Sequence, residues 1–299
     1  MVVGALLLAW LTDTYPFSRV SHHAFIDAEG TAECGAGWLG GAEGNLQQAC
    51  CRLWAEKAER HAASLRRRQA AQAARAGMLR PSNKTAYDMY EPSWRCHIDR
   101  RLGLVNGDGM WVCGPNRFFA DRTCLVYAIG SNGDFSFETA VREHLGCEIH
   151  TFDPTGNSAS IAKKASEAAG VNFHALGLAA AAEGAHLPLR DIVEQLGHQH
   201  RMIDLVKIDC EGCEHTALDG VWADLRQGLY GVGQIQIQIQ VHRARPARVA
   251  RLFDAAEAAG FRLFHKEPSH SGCSASACAV DFSLIGEQTA WDVFKLDSC

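Results

Sequence analysis

From about residue 124 onward the chain alternates between two hydrophobic periods. Residues 124–129, 147–152, 171–178, 203–209 and 233–242 are short apolar or strictly alternating runs bounded by glycine and polar turns, which predicts strands. Between them, residues 137–145, 158–169, 189–196, 214–225 and 247–259 space their apolar positions as helices do. Residues 261–265 and 279–285 add two strands with no helix between them. Strands alternating with helices form a parallel sheet wound on both faces, while two strands joined directly pair antiparallel. The predicted body is therefore α/β: a doubly wound, mostly parallel seven-stranded sheet closing with an antiparallel hairpin. Residues 110–113 read as a short edge segment ahead of it.

The first part of the chain follows a different pattern. Residues 1–44 carry no sustained period and read as an irregular N-terminal segment. Within them Val2 to Leu11 is apolar, but too short to span a bilayer and without a basic flank. A buried or loop-like start is expected, with a trimmed signal anchor as the alternative. Residues 45–80 turn rich in Ala, Gln, Arg and Glu, with Gly77 as their only glycine before Pro81, which predicts a helix. Its apolar stripe is thin (Leu46, Leu53, Trp54 and Leu65), so it is expected to pack weakly or stand off the body. Residues 81–299 then form the main domain.

Charge sharpens this division. The 299 residues carry a net charge of −5, yet residues 45–80 hold eight Lys or Arg against Glu56 and Glu59, which makes that segment +6 and the rest −11. The net negative charge argues against nucleic acid as the default partner, while the basic helix on an acidic body leaves membrane contact open. Twelve cysteines are many for a cytosolic enzyme and few for a disulfide scaffold. Cys113 with Cys124, or Cys273 with Cys278, could pair in a secretory lumen, so cytoplasm and lumen both stay open.

Candidate chemistry gathers where the strands end, because open α/β sheets bind ligands outside the carboxyl ends of their strands. After the first strand comes Gly130-Ser131-Asn132-Gly133, a turn that admits a ligand to backbone and offers two polar side chains. Its G-x-x-G spacing, followed by Asp134, suits a nucleoside better than the diphosphate of NAD. Asp153 closes the second strand about 20 residues on, where a carboxylate accepts from ribose hydroxyls. The run Asp204 to His215 ends a buried strand in Asp209, Cys210, Glu211, Cys213 and Glu214. Clustered carboxylates raise one another's pKa and suit acid–base work. Asp209 and Glu211 are the catalytic candidates, while Glu214 and His215 are expected on a solvated helix start. Lys207 shares the face of Asp209 and needs a carboxylate partner. Cys210-Glu-Gly-Cys213 also admits a redox dithiol, or zinc together with Cys273 and Cys278. The amides of Gln234, Gln236, Gln238 and Gln240 fill one face of a single strand, which implies a polar side or cavity there. His242 at its end is a candidate general base.

These residues also carry a resemblance. Asp108-Gly-Met-Trp-Val-Cys113, Val126-Tyr-Ala-Ile-Gly130 with Phe135-Ser-Phe-Glu138, Phe152-Asp-Pro154, Ile203 to Gly212 with Glu214, Ile237 to His242, and Gly260 to Phe264 with Glu267 resemble, in order, FkbM-type methyltransferase domains. The resemblance implies a class I methyltransferase fold, Rossmann-like, that binds S-adenosylmethionine. It implies Gly130 to Gly133 in the cofactor loop and Asp153 on the ribose. Ala128 stands where many such enzymes carry an acid, which leaves Glu138 to hold the methionine end. Gln240 replaces an acid ahead of the strand-end histidine. The resulting expectation is O-methylation of a small-molecule or glycan hydroxyl. A protein acceptor is the runner-up, a catalytically degenerate adenosyl-binding protein the main rival, and an NAD oxidoreductase is disfavoured.

Overall fold

The computed structural model describes residues 42–76, 90–105, 107–119, 123–155, 160, 170–240, 246–268 and 279–298. Its elements in chain order are helix α1 (Ala42–Ala76), strands β1 (Asp99–Leu102), β2 (Met110–Cys113) and β3 (Leu125–Ile129), helix α2 (Ser136–Leu145), and strands β4 (Glu148–Phe152), β5 (Asn172–His174), β6 (Gly177–Leu178) and β7 (His186–Leu187). Helix α3 (Leu189–Gln195), strand β8 (Met202–Ile208), helix α4 (Glu214–Gln227), strand β9 (Gly231–Gln240), helix α5 (Pro246–Ala258), strands β10 (Phe261–Pro268) and β11 (Ala279–Gly286), and helix α6 (Glu287–Ser298) follow.

Seven strands form one sheet in the order β10-β11-β9-β8-β3-β4-β5. All neighbours from β5 to β9 run parallel, and β11 inserts antiparallel between β9 and β10. This is the mostly parallel sheet with a terminal antiparallel hairpin that the period changes predict. Within the sheet, one expectation fails: residues 171–178 do not make a single strand. Only β5 joins the main sheet, and β6 leaves it to pair with β7. The predicted helix over residues 158–169 lies outside the described residues.

Two apolar layers hold the sheet. On one face Ile235, Ile237 and Ile239 of β9 pack with Tyr127, Phe152 and Val206 under α3, α4 and α5. On the other, Val126, Ala128, Ile149 and Leu205 meet Phe137, Val141 and Leu145 of α2 and the Leu102, Met110 and Val112 side chains of the β1–β2 hairpin. Helix α1 does not stand off. Its Trp54 is 3% exposed and lies edge-on to Trp94 at 4.9 Å, and Arg68 pairs with Glu257 of α5. No described helix is long and apolar enough to cross a membrane.

Among the described residues, disulfides pin the body at Cys96–Cys113, Cys124–Cys147 and Cys210–Cys213. Cys113 and Cys124 therefore each take another partner, because β3 and β4 start side by side and bring Cys124 to Cys147. Cys273 and Cys278 lie outside the described residues.

Candidate methyl-transfer site

The glycine turn and the end of β8 are one unit. Gly130 has φ +83°, and a Cβ there would stand 1.8 Å from the carbonyl oxygen of Asp209. The close approach that requires glycine is thus made by the chain itself, with Asp209 N donating to Ile129 O at 2.8 Å. Asp153 fastens the same turn. Its Oδ2 accepts from Ser131 N (3.0 Å), Ser131 Oγ (3.1 Å) and Asn132 N (2.7 Å), and its Oδ1 from Thr155 N (2.9 Å) and Thr155 Oγ1 (2.5 Å). Burial alone would raise this carboxyl, but the donors from Thr155, Asn132 and Ser131 outweigh it and hold the pKa below the usual range. Asn132, at φ 46°, is exposed, and the space above Gly133 is open.

Beside the turn lies a buried charge cluster. Lys207 is fully buried, and its Nζ donates to Asp108 Oδ2 at 2.8 Å and to Gly130 O at 3.1 Å. Burial opposes its charge, but Asp108, Glu138 and Asp209 around it prevail and raise its pKa. Glu138, in the first turn of α2, accepts from Thr151 Oγ1 at 3.2 Å through Oε1, while Oε2 is buried without a partner. Burial pushes its carboxyl up to about 7 against the pull of Lys207. Asp209 likewise reaches about 7, first through burial and then through Asp108, Glu214 and Glu211, with Lys207 opposing. The carboxylate partner expected for Lys207 is present, and it is Asp108. In the sequence Asp108 stands out only as part of a motif, because it arrives on the separate β1–β2 hairpin, 99 residues before Lys207.

Past Asp209 the chain turns sharply. Glu211 is exposed with φ 50°, and the Cys210–Cys213 disulfide bridges over it. In this disulfide form the two sulfurs are not thiolate ligands for zinc, whereas a C-x-x-C disulfide is also the oxidised form of a redox dithiol. The tight loop also overturns the solvated reading of Glu214 and His215. Glu214 is 1% exposed and turns back under the loop, accepting from Gly212 N at 2.7 Å and from Gln240 N at 3.5 Å. His215 is buried beside it, with its Nε2 3.6 Å from Glu214. His242 lies outside the described residues.

The amide row of β9 faces the β1–β2 hairpin, where sequence alternation placed a polar side. Gln234 is satisfied there, its amide bonding both N and O of Cys113 at 2.9 and 2.7 Å. Neither amide atom of Gln236 has a partner, and the residue is fully buried. Asp281 of β11, absent from the sequence-based candidates, pairs in register with Gln238. Burial, then Asp209 and Glu267, push its carboxyl up to about 8. Among the described residues, the other cluster with metal-ligand donors outside this loop is Glu148, His150 and His198, within 4.8 Å of one another. The Arg201 guanidinium already closes that network, 2.8 Å from Glu148.

A family model described as a methyltransferase domain matches residues 47–284. The chain belongs to that methyltransferase family. It is 30% identical over 180 residues to the probable methyltransferase-like protein 24 of Homo sapiens, covering 52% of this chain and 47% of the relative. The rat protein of the same name (Rattus norvegicus) is 27% identical over 192 residues, 58% of this chain and 48% of its own length. The chain thus spans about half the length of the curated relatives it matches. Among solved structures it is similar to magnesium protoporphyrin IX methyltransferase from Synechocystis (13% identity, TM-score 0.37, covering 57% of this chain and 76% of that one). A fibrillarin pre-rRNA processing protein from Methanococcus jannaschii matches at 10% identity and TM-score 0.38, covering 64% of this chain and 84% of that one.

S-adenosylmethionine is the cofactor of this methyltransferase domain, and the site's chemistry fits it. The turn 130–133, with open space over Gly133 and the Asp153 carboxylate beneath, would hold the nucleoside. The unpartnered oxygen of Glu138, with Asp108 and Lys207 beside it, offers both charges that the zwitterionic amino-acid end needs.

Proposed function

We propose that this domain methylates a hydroxyl oxygen of a small molecule or glycan, in the manner of the FkbM-type enzymes its motifs resemble. The observation that supports it best is Asp209, a carboxyl held near neutrality at the strand end that packs directly on the glycine turn. A general base works best when its pKa lies near the working pH. When bound, S-adenosylmethionine would supply an electrophilic methyl and leave as the neutral thioether. Asp209 would take the proton that the acceptor hydroxyl gives up as its oxygen is methylated. The chain's remaining task is alignment: Lys207 and Asp108 fix the strand end against the turn.

Calorimetric titration of the full chain with S-adenosylhomocysteine tests the cofactor half of this reading, with NAD and Asp153→Ala as controls. Micromolar binding, lost in the variant and absent for NAD, is expected. If NAD binds and the thioether does not, the methyltransferase reading of this chain falls.

An oxidising compartment is the proposed place of work. Every cysteine whose side chain is described, including Cys51, is disulfide-bonded, and such bonds persist in secretory rather than cytosolic surroundings. Peptide mapping without reductant, on protein expressed through the secretory route and in the cytosol, checks this. Intact Cys124–Cys147 only in the secreted material is expected.

A further inference from the structure

The register of four strands builds a polar floor next to Asp209. Lys207 of β8 pairs with Gln236 of β9, Gln236 with Ser283 of β11, and Ser283 with His265 of β10. Two residues nearer the strand ends, Gln238 pairs with Asp281 and Asp281 with Glu267, and Asp209 follows β8 at the same level. Side chains two apart share a face, so both rows point to the same side of the sheet. Gln238 hydrogen-bonds one carboxyl oxygen of Asp281, and the other, Oδ1, is buried with no partner. On the row beneath, the Gln236 amide uses neither its donor nor its acceptor. Buried polar atoms left idle are costly and uncommon in native proteins. Two of them stand on neighbouring strands, within reach of the carboxyl that takes the proton. At the far side the Trp111 ring stacks on His265 at 4.1 Å, and its Nε1 donates to Glu267 at 2.9 Å.

We infer that Gln236, Gln238 and Asp281 form the subsite for the methyl acceptor, and that it takes a saccharide or related polyol through neighbouring hydroxyls. The inference rests on the methyl-transfer reading above. A hydroxyl both donates and accepts, which matches an idle carboxamide beside an idle carboxyl oxygen. Glu267 is already paired with Arg101 at 2.9 Å, and the buried Asp209 and Asp281 carboxyls hold their protons up to about pH 7 and 8, so the floor suits a neutral acceptor. The half-buried Trp111 adds an aromatic wall to the polar floor, a combination that suits the C–H face and hydroxyl rim of a sugar ring.

The test uses the full chain saturated with S-adenosylhomocysteine and reads saturation-transfer NMR. The probes are methyl glycosides of glucose, galactose, mannose and xylose, with agmatine as the cationic control and indole as the apolar one. At least one glycoside is expected to bind, and binding is expected to fall at least tenfold in Gln236→Met and in Asp281→Asn. Affinity for S-adenosylhomocysteine should stay within about twofold in both. Gln236→Met should also raise the melting temperature, because it removes an idle buried amide and keeps its shape. That readout separates a ligand site from a structural amide, whose loss would lower it. Silence from every glycoside, binding unaffected by both variants, preference for agmatine or indole, or a destabilised Gln236→Met protein would each overturn the inference. Failure of S-adenosylhomocysteine to bind overturns the methyl-transfer reading, and this subsite with it.

Discussion

Gly130 and Lys207 fix the geometry of the site by different means. At φ +83° a residue with a Cβ is strained by about 1–2 kcal/mol, and here that atom also meets the backbone oxygen of Asp209. Gly130→Ala should therefore shift the turn, lowering both urea stability and affinity for S-adenosylhomocysteine. Lys207 is the cation amid Asp108, Glu138 and Asp209, so Lys207→Met leaves buried carboxyls unpaired. A loss of about 3–5 kcal/mol in urea unfolding is expected. The same carboxyls set a pH dependence. Unfolded, they titrate near pH 4; folded, Glu138 and Asp209 titrate at about 7 and Asp281 at about 8. Between those limits the native state keeps protons that the unfolded chain has released. Their contribution to stability therefore falls as pH rises from about 4 to about 8 and levels off above. Melting temperatures across that range should decline, and less steeply in Asp281→Asn. Transfer should do the opposite, rising as pH passes about 7 and Asp209 ionises.

Elements show which parts of this design a sequence can reveal. Hydrophobic period is local, so β3, α2, β4, β8 and β9 fall within a few residues of their predicted limits. Strict alternation along β9 is enough to place an amide-lined face on that strand, because side chains two apart share a side. Whatever depends on a distant element escaped: Asp108 reaches Lys207 across 99 residues, and Asp281 enters the site only because β11 turns back antiparallel beside β9. Glu214 and His215 sit at a helix start, where solvent is the ordinary neighbour, and a local reading had no access to the loop that covers them. Cysteine pairing is equally non-local. Cys124 and Cys147 close a loop with a sequence separation of 23 at the feet of two adjacent strands. Replacing both by alanine should lower stability by about 3 kcal/mol, read as a shifted urea midpoint, and dithiothreitol, which reduces the other bridges too, should shift the native protein at least as far.

On the scale of the whole molecule, the basic helix is part of the folded body. Lys57 lies over the Trp94 ring at 4.6 Å, and Arg68 lies over Tyr90 at 5.4 Å while pairing with Glu257. Between them His61 is buried, its Nδ1 2.8 Å from Ser93 Oγ. Burial first, then the charges of Arg262 and Arg68, lower its pKa to about 3, against a small opposing pull from Ser93. Docked, the imidazole is neutral; released, it titrates near 6.5. The undocked state therefore binds the extra proton, and docking loses stability as pH falls below about 6.5 until about 3. This runs opposite to the carboxyl cluster, so mild acid should loosen α1 while it relieves strain at the site. Hydrogen exchange at about pH 5 and about pH 7.5 separates the two. Once the intrinsic pH dependence of amide exchange is divided out, protection of α1 should be lower at the lower pH and that of β8 no lower. In His61→Gln, which carries no titrating group, the α1 difference should vanish. If α1 is protected equally at both values in the native protein, the buried histidine does not control docking.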